Sequence, residues 1–163
     1  MKVIYLASGY GLLDTVHEVV YNDYYVPRDL VCDMMQVDLS AFDILIASPP
    51  CNYWSRANYR RDISNYAQST KYLLPGILEK FIKTGKPFIV ENVLNKKLMK
   101  DIINSLPFGV FYIELGRHCY FTNINFDISD LHFQCEYIQN LNVKNRQGSG
   151  GVNIVFNRFL ACI

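Results

Sequence analysis

Two side chains with reactive chemistry follow apolar, strand-like segments. The segment Phe42–Cys51 is an apolar run that ends in Ser48, two prolines and a cysteine. The prolines fix the backbone and present Cys51 beyond the strand, whereas most free cysteines lie in the core as small hydrophobes. A later apolar run, Pro87–Glu91, ends in a carboxylate. A thiol and a carboxylate that meet at one edge of a sheet suit covalent catalysis by Cys51, with proton handling by Glu91.

The elements that would bring these groups together can be read from the apolar pattern. Apolar runs alternate with helical stretches, which is typical of parallel strands joined by crossover helices. The carboxyl ends of such strands share one edge of the sheet. The clearest helix is predicted at Tyr66–Thr84, before Gly85, and a shorter one at Lys96–Leu106. Strands are predicted at Lys2–Ala7, Glu18–Asn22, Phe42–Ala47, Pro87–Glu91, Phe111–Leu115, His118–Thr122 and Asn153–Phe156, with a further extended stretch at Leu30–Val37 and a flexible loop at Gln147–Gly151.

A glycine-containing turn, Ser8-Gly9-Tyr10-Gly11, follows the first predicted strand. Glycine permits a ligand to approach the backbone closely, although a tight turn without a ligand is the common alternative. Asp23 and Asp38 follow the next two extended segments, where a carboxylate can accept hydrogen bonds from ribose hydroxyls or simply be a solvated loop acid. Together these features predict a nucleoside site. The chain lacks the GxxxxGK[ST] pattern, which disfavours a P-loop nucleotide hydrolase.

Composition sets the class of protein. The chain has 163 residues, of which 50% are hydrophobic and 19% charged, and this balance predicts one globular domain. No apolar run reaches bilayer length and the N-terminus lacks a signal-peptide pattern, so a cytoplasmic location is expected. The five cysteines include no CxxC pair, which argues against a disulfide framework or a zinc ribbon. A zinc set is the less favoured interpretation of His118, Cys119, His132 and Cys135, whose spacing is loose.

Contact with nucleic acid would have to come from a local cluster, because the net charge is only +1. The best candidate follows the Ser-Pro-Pro-Cys tetrapeptide, where basic and aromatic residues alternate. Its members are Arg56, Arg60 and Arg61, interleaved with Tyr53, Trp54 and Tyr59. Such clusters bind nucleic acid in some proteins and are solvated loops in others, and the residues alone leave both interpretations open.

Two of these segments, FDILIASPPC and PFIVENV, resemble the two catalytic signatures of the cytosine-C5 DNA methyltransferases, and SGYG stands where that family has its cofactor turn. The segments VVYNDYY, MQVDLSAFDILIASPPC, KTGKPFIVENV and LGRHCYFTN follow in the order of the small phage-type members, over roughly residues 2–135. The resemblance implies a Rossmann-like, S-adenosylmethionine-dependent methyltransferase: an α/β fold with a doubly wound, mostly parallel sheet. It further implies a compact single domain over residues 1–163, without a separate target-recognition domain.

The resemblance also implies roles for individual residues. Cys51 would add to C6 of a flipped cytosine while Glu91 hydrogen-bonds N3 and the exocyclic amine, and C5 would then take the methyl group of S-adenosylmethionine. Arg117 would contact the base and help to position the nucleophile. The implied cofactor contacts are Ser8, Gly9, Tyr10, Gly11, Asp23, Asp38 and Pro49, and the implied DNA contacts are Asn52, Ser55, Arg56, Arg60 and Arg61.

The chain departs from the family pattern at several positions. Cys119 stands where a second arginine is expected, and Asn52, Ala7 and Tyr5 replace a glutamine, a phenylalanine and an acidic residue. Two alternatives to a DNA methyltransferase in a host cytoplasm therefore stay open: an RNA cytosine-C5 methyltransferase, and a non-catalytic module that binds cofactor or DNA. Few residues follow Phe121, which predicts a short or relaxed recognition sequence, or help from a second copy or an accessory subunit.

Overall fold

A computed structural model describes residues 1–127 and 150–163. In these residues the chain forms seven strands, four α-helices and a 3-10 turn at Met34–Gln36. The strands are β1 (Lys2–Leu6), β2 (Glu18–Asp23), β3 (Leu30–Val31), β4 (Ile44–Ala47), β5 (Phe88–Val93), β6 (Phe111–Leu115) and β7 (His118–Thr122). The α-helices are α1 (Asn65–Thr70), α2 (Leu73–Thr84), α3 (Lys100–Asn104) and α4 (Gly150–Leu160).

The strands form one sheet in the order β3-β2-β1-β4-β5-β7-β6. Strands β1 to β5 pair in parallel, whereas β7 runs antiparallel to both β5 and β6. Every residue of β4 is buried, as expected for a central strand covered on both faces. The register pairs Ala47 of β4 with Val90 of β5, so the residues that follow each of them emerge side by side at the carboxyl edge. This edge carries both the Ser-Pro-Pro-Cys turn and Glu91.

Each face of the sheet is covered by a helix. Helix α2 buries Leu74, Ile77, Leu78 and Phe81 against one face, at the helical spacing that the sequence shows. Helix α4 covers the other face, where Phe156 meets the rings of Tyr5 and Tyr120 edge-on. The α/β class and the mostly parallel, doubly wound sheet are therefore confirmed, in the arrangement of a Rossmann-like methyltransferase fold.

The main correction concerns α4. The sequence predicts a strand at Asn153–Phe156, but these residues lie inside a helix that begins at Gly150. A run such as Val-Asn-Ile-Val-Phe favours a strand locally, and periodicity over a few residues cannot separate it from a buried helix. Of the loop predicted at Gln147–Gly151, the last two residues begin α4, and residues 147–149 lie outside the described part of the chain.

Three other boundaries differ from the prediction. The helix predicted at Tyr66–Thr84 is two helices, because Pro75 lacks an N–H and its ring clashes with the preceding turn, so α2 has to begin just before it. The stretch Leu30–Val37 is extended only at β3 and then turns at Asp33, whose side chain accepts a hydrogen bond from the Met35 N–H. Helix α3 is shorter than the predicted Lys96–Leu106.

The connection from β1 to β2 has no regular helix, and α4 packs against it instead. The Asp14 N–H donates to Asn157 Oδ1 at 3.1 Å, and His17 Nε2 lies 3.4 Å from the Leu160 carbonyl. At Gly11 a Cβ would stand 3.4 Å from Oδ1 of Asn153. Residues distant in the sequence therefore support the glycine turn from behind.

Two lysines tie the irregular chain between β3 and β4 to the body of the protein. Lys80 of α2 donates to the carbonyls of Met35 and Val37 at 2.8 and 2.6 Å. Lys86, just after α2, donates to the carbonyls of Leu39, Ser40 and Phe42 at 2.8, 3.0 and 2.5 Å. These bonds satisfy backbone acceptors that no strand or helix would otherwise occupy. None of the described helices has the length and apolar character needed to cross a bilayer.

Candidate active site

Cys51 and Glu91 lie at the carboxyl edge of the sheet, as predicted. Cys51 follows β4 by four residues and is partly buried, while Glu91 is a buried residue of β5 with 8% of its surface exposed. Burial raises the pKa of the Cys51 thiol, and the negative charge of Glu91 raises it further. The two groups are thus close enough to interact electrostatically, and the thiol is held in its protonated form in the absence of substrate.

A hydrogen bond connects the strand that carries Glu91 to the turn that carries Cys51. Asn92, next to Glu91, is 1% exposed, and its Nδ2 donates to the Pro49 carbonyl at 3.0 Å. Pro49 lies two residues before Cys51 in the rigid Ser-Pro-Pro turn. Because the bond is buried, it is not exchanged freely for water. The spacing of the nucleophile and the carboxylate is therefore built into the fold.

The structure places His118 against Glu91, a contact that the sequence did not indicate. Glu91 pairs with Tyr120 across the β5–β7 ladder, and His118 lies two residues earlier in β7, on the same side of the sheet. The Nδ1 atom of His118 is 2.5 Å from Oε1 of Glu91. Only 24% of the His118 side chain and 10% of the Glu91 side chain are exposed. His118 therefore belongs to the site; among the described residues no group of metal-binding side chains forms, and His132 and Cys135 lie outside them.

Arg117 and Cys119 flank His118 and point to different environments. Arg117 is exposed in the turn between β6 and β7, where its carbonyl accepts a hydrogen bond from the Leu94 N–H at 2.8 Å. Cys119 is fully buried in the core, and burial followed by the charge of Glu91 raises its pKa to about 12. Cys119 is thus a packed, unreactive thiol at the position where the family pattern has an arginine.

A cavity of about 540 Å³ opens at the carboxyl ends of β1, β2 and β4. Its volume lies within the usual range of small-molecule sites. The residues that line it come from five segments of the chain: Ala7, Gly9, Asn22, Asp23, Tyr24, Tyr25, Asp33, Met34, Ser48, Pro50, Tyr66, Ser69, Thr70 and Leu73. Aromatic rings, carboxylates and hydroxyls are the groups that a purine nucleoside needs, and Pro50, which lines the cavity, directly precedes Cys51.

Asp23 lines this cavity and organises the glycine turn. Its Oδ2 accepts the Gly9 N–H at 2.9 Å, and its Oδ1 accepts the N–H groups of Tyr25 and Val26 at 2.9 and 3.0 Å. Burial opposes ionisation, but these backbone hydrogen bonds outweigh it and lower the pKa of Asp23. A carboxylate offers about four acceptor positions, so three are used by the backbone and one on Oδ2 is left for a ligand.

The glycine turn contributes backbone atoms, rather than side chains, to the cavity lining. Gly9 lines the cavity with φ of +54°, a conformation that glycine adopts without strain. Ser8 is buried and donates to the Asn22 carbonyl, Tyr10 is 83% exposed, and a Cβ at Gly11 would come within 3.1 Å of the Ser8 carbonyl. Ser8, Tyr10 and Gly11 are thus outside the cavity lining.

Arg28 supports the same turn and was missed from the sequence. Its Nε and Nη2 atoms donate to the carbonyls of Gly9 and Gly11 at 2.7 and 3.1 Å. Asn22 was missed too: it is fully buried, lines the cavity, and its Oδ1 has no hydrogen-bond partner among the described residues. No sequence motif marks either residue, because their roles depend on where β2 and the chain after it lie beside the turn.

Two sequence-predicted cofactor contacts lie elsewhere. Asp38 is exposed and outside the cavity lining, and its carboxylate accepts hydrogen bonds from the N–H and Oγ of Ser40. The acid at the end of β3 that does line the cavity is Asp33, because the chain turns there instead of remaining extended to Val37. Pro49 is buried, and the neighbouring Pro50 faces the cavity in its place.

The predicted nucleic-acid contacts fall on a loop between Cys51 and α1. Arg56 and Arg60 are exposed, and the Arg60 guanidinium lies 5.9 Å from the centre of the Tyr59 ring. Arg61 is half-buried instead, and its Nη2 donates to the Ser55 carbonyl at 2.7 Å. Asn52 is exposed, and its carbonyl accepts from Asn58 Nδ2 at 2.7 Å. Two of the three arginines are thus available to a polyanion, while Arg61 and Ser55 hold the loop in shape.

Comparison with known protein families gives one match. The family described as C-5 cytosine-specific DNA methylase matches residues 25–109, just over half of the chain. The matched segment contains both Cys51 and Glu91, with the strands that carry them, and ends before His118. A comparison with curated proteins finds no relative that matches. The chain therefore belongs to the C-5 cytosine-specific DNA methylase family, that of the DNA (cytosine-5-)-methyltransferases.

Proposed function

We propose that this chain transfers the methyl group of S-adenosylmethionine to C5 of cytosine in DNA through a covalent adduct of Cys51. The observation that carries the proposal is the position of the 540 Å³ cavity, which ends at Pro50, immediately before Cys51. A cofactor site and a nucleophile that share one edge of the sheet allow two substrates to meet within reacting distance.

The residues around the cavity fit this cofactor. One acceptor position of Asp23 suits a ribose hydroxyl, and the unpartnered Oδ1 of Asn22 can accept a further hydrogen bond. Tyr24, Tyr25 and Tyr66 offer aromatic surface to an adenine ring, with Asp33 close by. When bound, the cofactor supplies an electrophilic methyl group. The chain's own residues hold the cofactor, the base and the protons.

The base-side chemistry follows from Cys51 and Glu91. As the Cys51 sulfur bonds to C6, electron density moves into the ring, and a proton shared between Glu91 and N3 stabilises it. The same proton placement removes the negative charge that opposes ionisation of the thiol. Base binding and activation of the nucleophile are thus coupled through Glu91. Arg117 and the exposed Arg56 and Arg60 would contact the DNA around the extruded base.

Replacing the nucleophile tests the mechanism. We expect Cys51→Ala to abolish methyl transfer while leaving cofactor affinity nearly unchanged, because the thiol bonds to the base and not to the cofactor. The measurements are transfer of labelled methyl groups to DNA, and calorimetry with the cofactor. DNA that contains 5-fluorocytosine should trap the wild type covalently, since C5 of the adduct then carries no proton to lose.

The matched control is Cys119→Ala, which removes a buried thiol and should leave trapping intact in whatever protein folds. Appreciable methyl transfer by Cys51→Ala would show that the covalent mechanism is wrong. Nucleoside analysis of DNA and RNA after incubation separates the alternatives: label in cytidine indicates an RNA enzyme, and label in neither nucleic acid indicates a non-catalytic module.

A further inference from the structure

We propose that His118 is a positioning residue that holds the proton used by Glu91 and thereby controls the ionisation of Cys51. For its substrate chemistry this rests on the proposed function, but the contact itself comes from the fold. Strand β7 runs antiparallel beside β5, which places His118 and Glu91 on one side of the sheet with Nδ1 and Oε1 2.5 Å apart. Since both side chains are largely shielded from water, the interaction is weakly screened.

The pair can hold one proton in two ways: imidazolium beside carboxylate, or imidazole beside carboxylic acid. As the Cys51–C6 bond forms, Glu91 takes the proton from Nδ1 of the His118 imidazolium and passes it to N3 of the cytosine, which leaves a carboxylate beside a neutral imidazole. When the Cys51–C6 bond breaks at the end of the reaction, N3 returns its proton to Glu91 and His118 by the same route. The thiol proton leaves to water when the adduct forms and is taken back from water when the adduct breaks down. The only net proton released is the one lost from C5, and Cys51, Glu91 and His118 are all restored.

Other titratable or charged groups lie around the pair. Those on the same side of the sheet are Cys51 after β4, Tyr5 on β1 and Tyr120 on β7, with Arg117 in the adjacent turn. Glu114 of β6, paired with Lys96 at 3.1 Å, stands opposite Cys119 and therefore belongs to the other face. Burial raises the pKa of Tyr5, the hydrogen bond to Ser48 lowers it by less, and the charge of Glu91 raises it again, so Tyr5 stays neutral. An imidazole is the side chain whose ordinary titration falls between pH 5 and 8.

The charge of His118 should change how readily Cys51 ionises, and the direction of this change can be measured. A protonated His118 cancels the charge of Glu91 and makes the thiolate easier to form, whereas a neutral His118 leaves that charge uncovered. The pair therefore favours the thiolate while the imidazole carries its second proton, and loses this effect when that proton is removed. A purely structural histidine would change Cys51 by the same factor at every pH.

The first experiment follows alkylation of Cys51 by iodoacetamide in the full-length protein between pH 6 and pH 9, with mass spectrometry to isolate the Cys51 peptide. We expect His118→Gln to react roughly threefold to tenfold more slowly than wild type at pH 6, with the difference closing by pH 9. His118→Arg keeps the charge at every pH and should react faster than wild type at pH 9. Glu91→Gln should react faster than wild type at both ends.

A His118→Gln difference that is equal at pH 6 and pH 9, or that is absent, would overturn the proposal. The second experiment measures methyl transfer to DNA over the same range. The wild-type rate should decline at high pH. In His118→Arg we expect this decline to begin at a pH about one unit or more higher. An unmoved decline would remove His118 from catalysis. If the wild type transfers no methyl group, the proposed function fails, while the alkylation result still decides whether His118 controls Cys51.

Discussion

Asp23 has most of its hydrogen-bonding capacity committed before any ligand arrives. Three backbone N–H groups occupy its two oxygens, and one of them belongs to Gly9 in the cofactor turn. A ribose hydroxyl that binds the remaining position of Oδ2 is thus held by an atom that also fixes the turn. Ligand affinity and turn geometry are coupled through this one oxygen.

This coupling predicts the effect of an isosteric change. Asp23→Asn keeps the size of the side chain but replaces an accepting oxygen with an N–H donor, or loses the bonds to Tyr25 and Val26 if the amide rotates. We expect the dissociation constant for S-adenosylmethionine to rise by roughly tenfold to a hundredfold, since hydrogen bonds to charged groups contribute about 1.5–3 kcal/mol. Calorimetry provides the measurement.

The matched control is Asp38→Asn, which changes an exposed acid outside the cavity and should leave the affinity unchanged. Equal weakening by both variants would mean that general charge, rather than contact with the ligand, determines affinity.

At the scale of elements, hydrogen bonds from Lys86, just after α2, connect this helix to the chain before β4. No sequence motif predicts them. The Nζ of Lys86 reaches three carbonyls of the irregular segment that leads into β4. That segment positions the strand from which the Ser-Pro-Pro-Cys turn emerges. Loss of the ammonium group would remove one hydrogen bond from each of these carbonyls, of which that of Leu39 also accepts the Phe42 N–H at 3.3 Å.

We therefore expect Lys86→Met to lower the free energy of unfolding by about 1–3 kcal/mol, the range for hydrogen bonds to a charged group and for acceptors left unpaired. Lys83→Met is the control, because Lys83 contacts the exposed Glu79 at 2.5 Å in a pair open to solvent, and its removal should change stability little. Urea denaturation of both variants checks this. A loss of stability in Lys83→Met as large as that in Lys86→Met would contradict the explanation.

Some of these elements could be predicted from the sequence and others could not. Strand β4 is a continuous apolar run up to Ala47, and β5 is one up to Val90, just before Glu91, so their type and shared edge follow from local pattern. Helix α4 does not follow from it, since its apolar run has the residue types of a strand. The contact of His118 with Glu91 requires the antiparallel placement of β7 next to β5, which is a property of the assembled sheet. The replacement of Asp38 by Asp33 in the cavity lining has a related reason: the turn at Asp33 decides which acid faces the cavity.

At the scale of the whole molecule, charge is nearly balanced. With a net charge of +1, the protein has little long-range attraction for a polyanion, and binding must depend on where its cations lie. Arg56 and Arg60 stand exposed on the loop next to Cys51, at the edge of the sheet that would face the DNA. This predicts weak, strongly salt-dependent binding centred on the site.

The prediction can be made quantitative. Each phosphate contact contributes about 0.9 to the slope of log K against log salt for duplex DNA, so Arg56→Ala and Arg60→Ala should each reduce the slope by roughly that amount. Titrations by fluorescence anisotropy from low to moderate salt give the slopes. Lys83→Ala, on the exposed side of α2, should not alter them. Slopes that stay the same in both arginine variants would exclude this loop as the phosphate-binding surface.

The buried bond between Asn92 and Pro49 has a consequence for the nucleic acid. Because it fixes the spacing of Cys51 and Glu91 before substrate arrives, the site can adjust little to a base that remains stacked in a helix. Under the proposed mechanism the distortion would then occur in the DNA, whose target nucleotide would leave the stack at an energetic cost of a few kcal/mol. That cost is smallest for a cytosine that is mismatched, at a strand end or already unpaired. A rigid pair of catalytic groups therefore favours targets where the double helix is weakest.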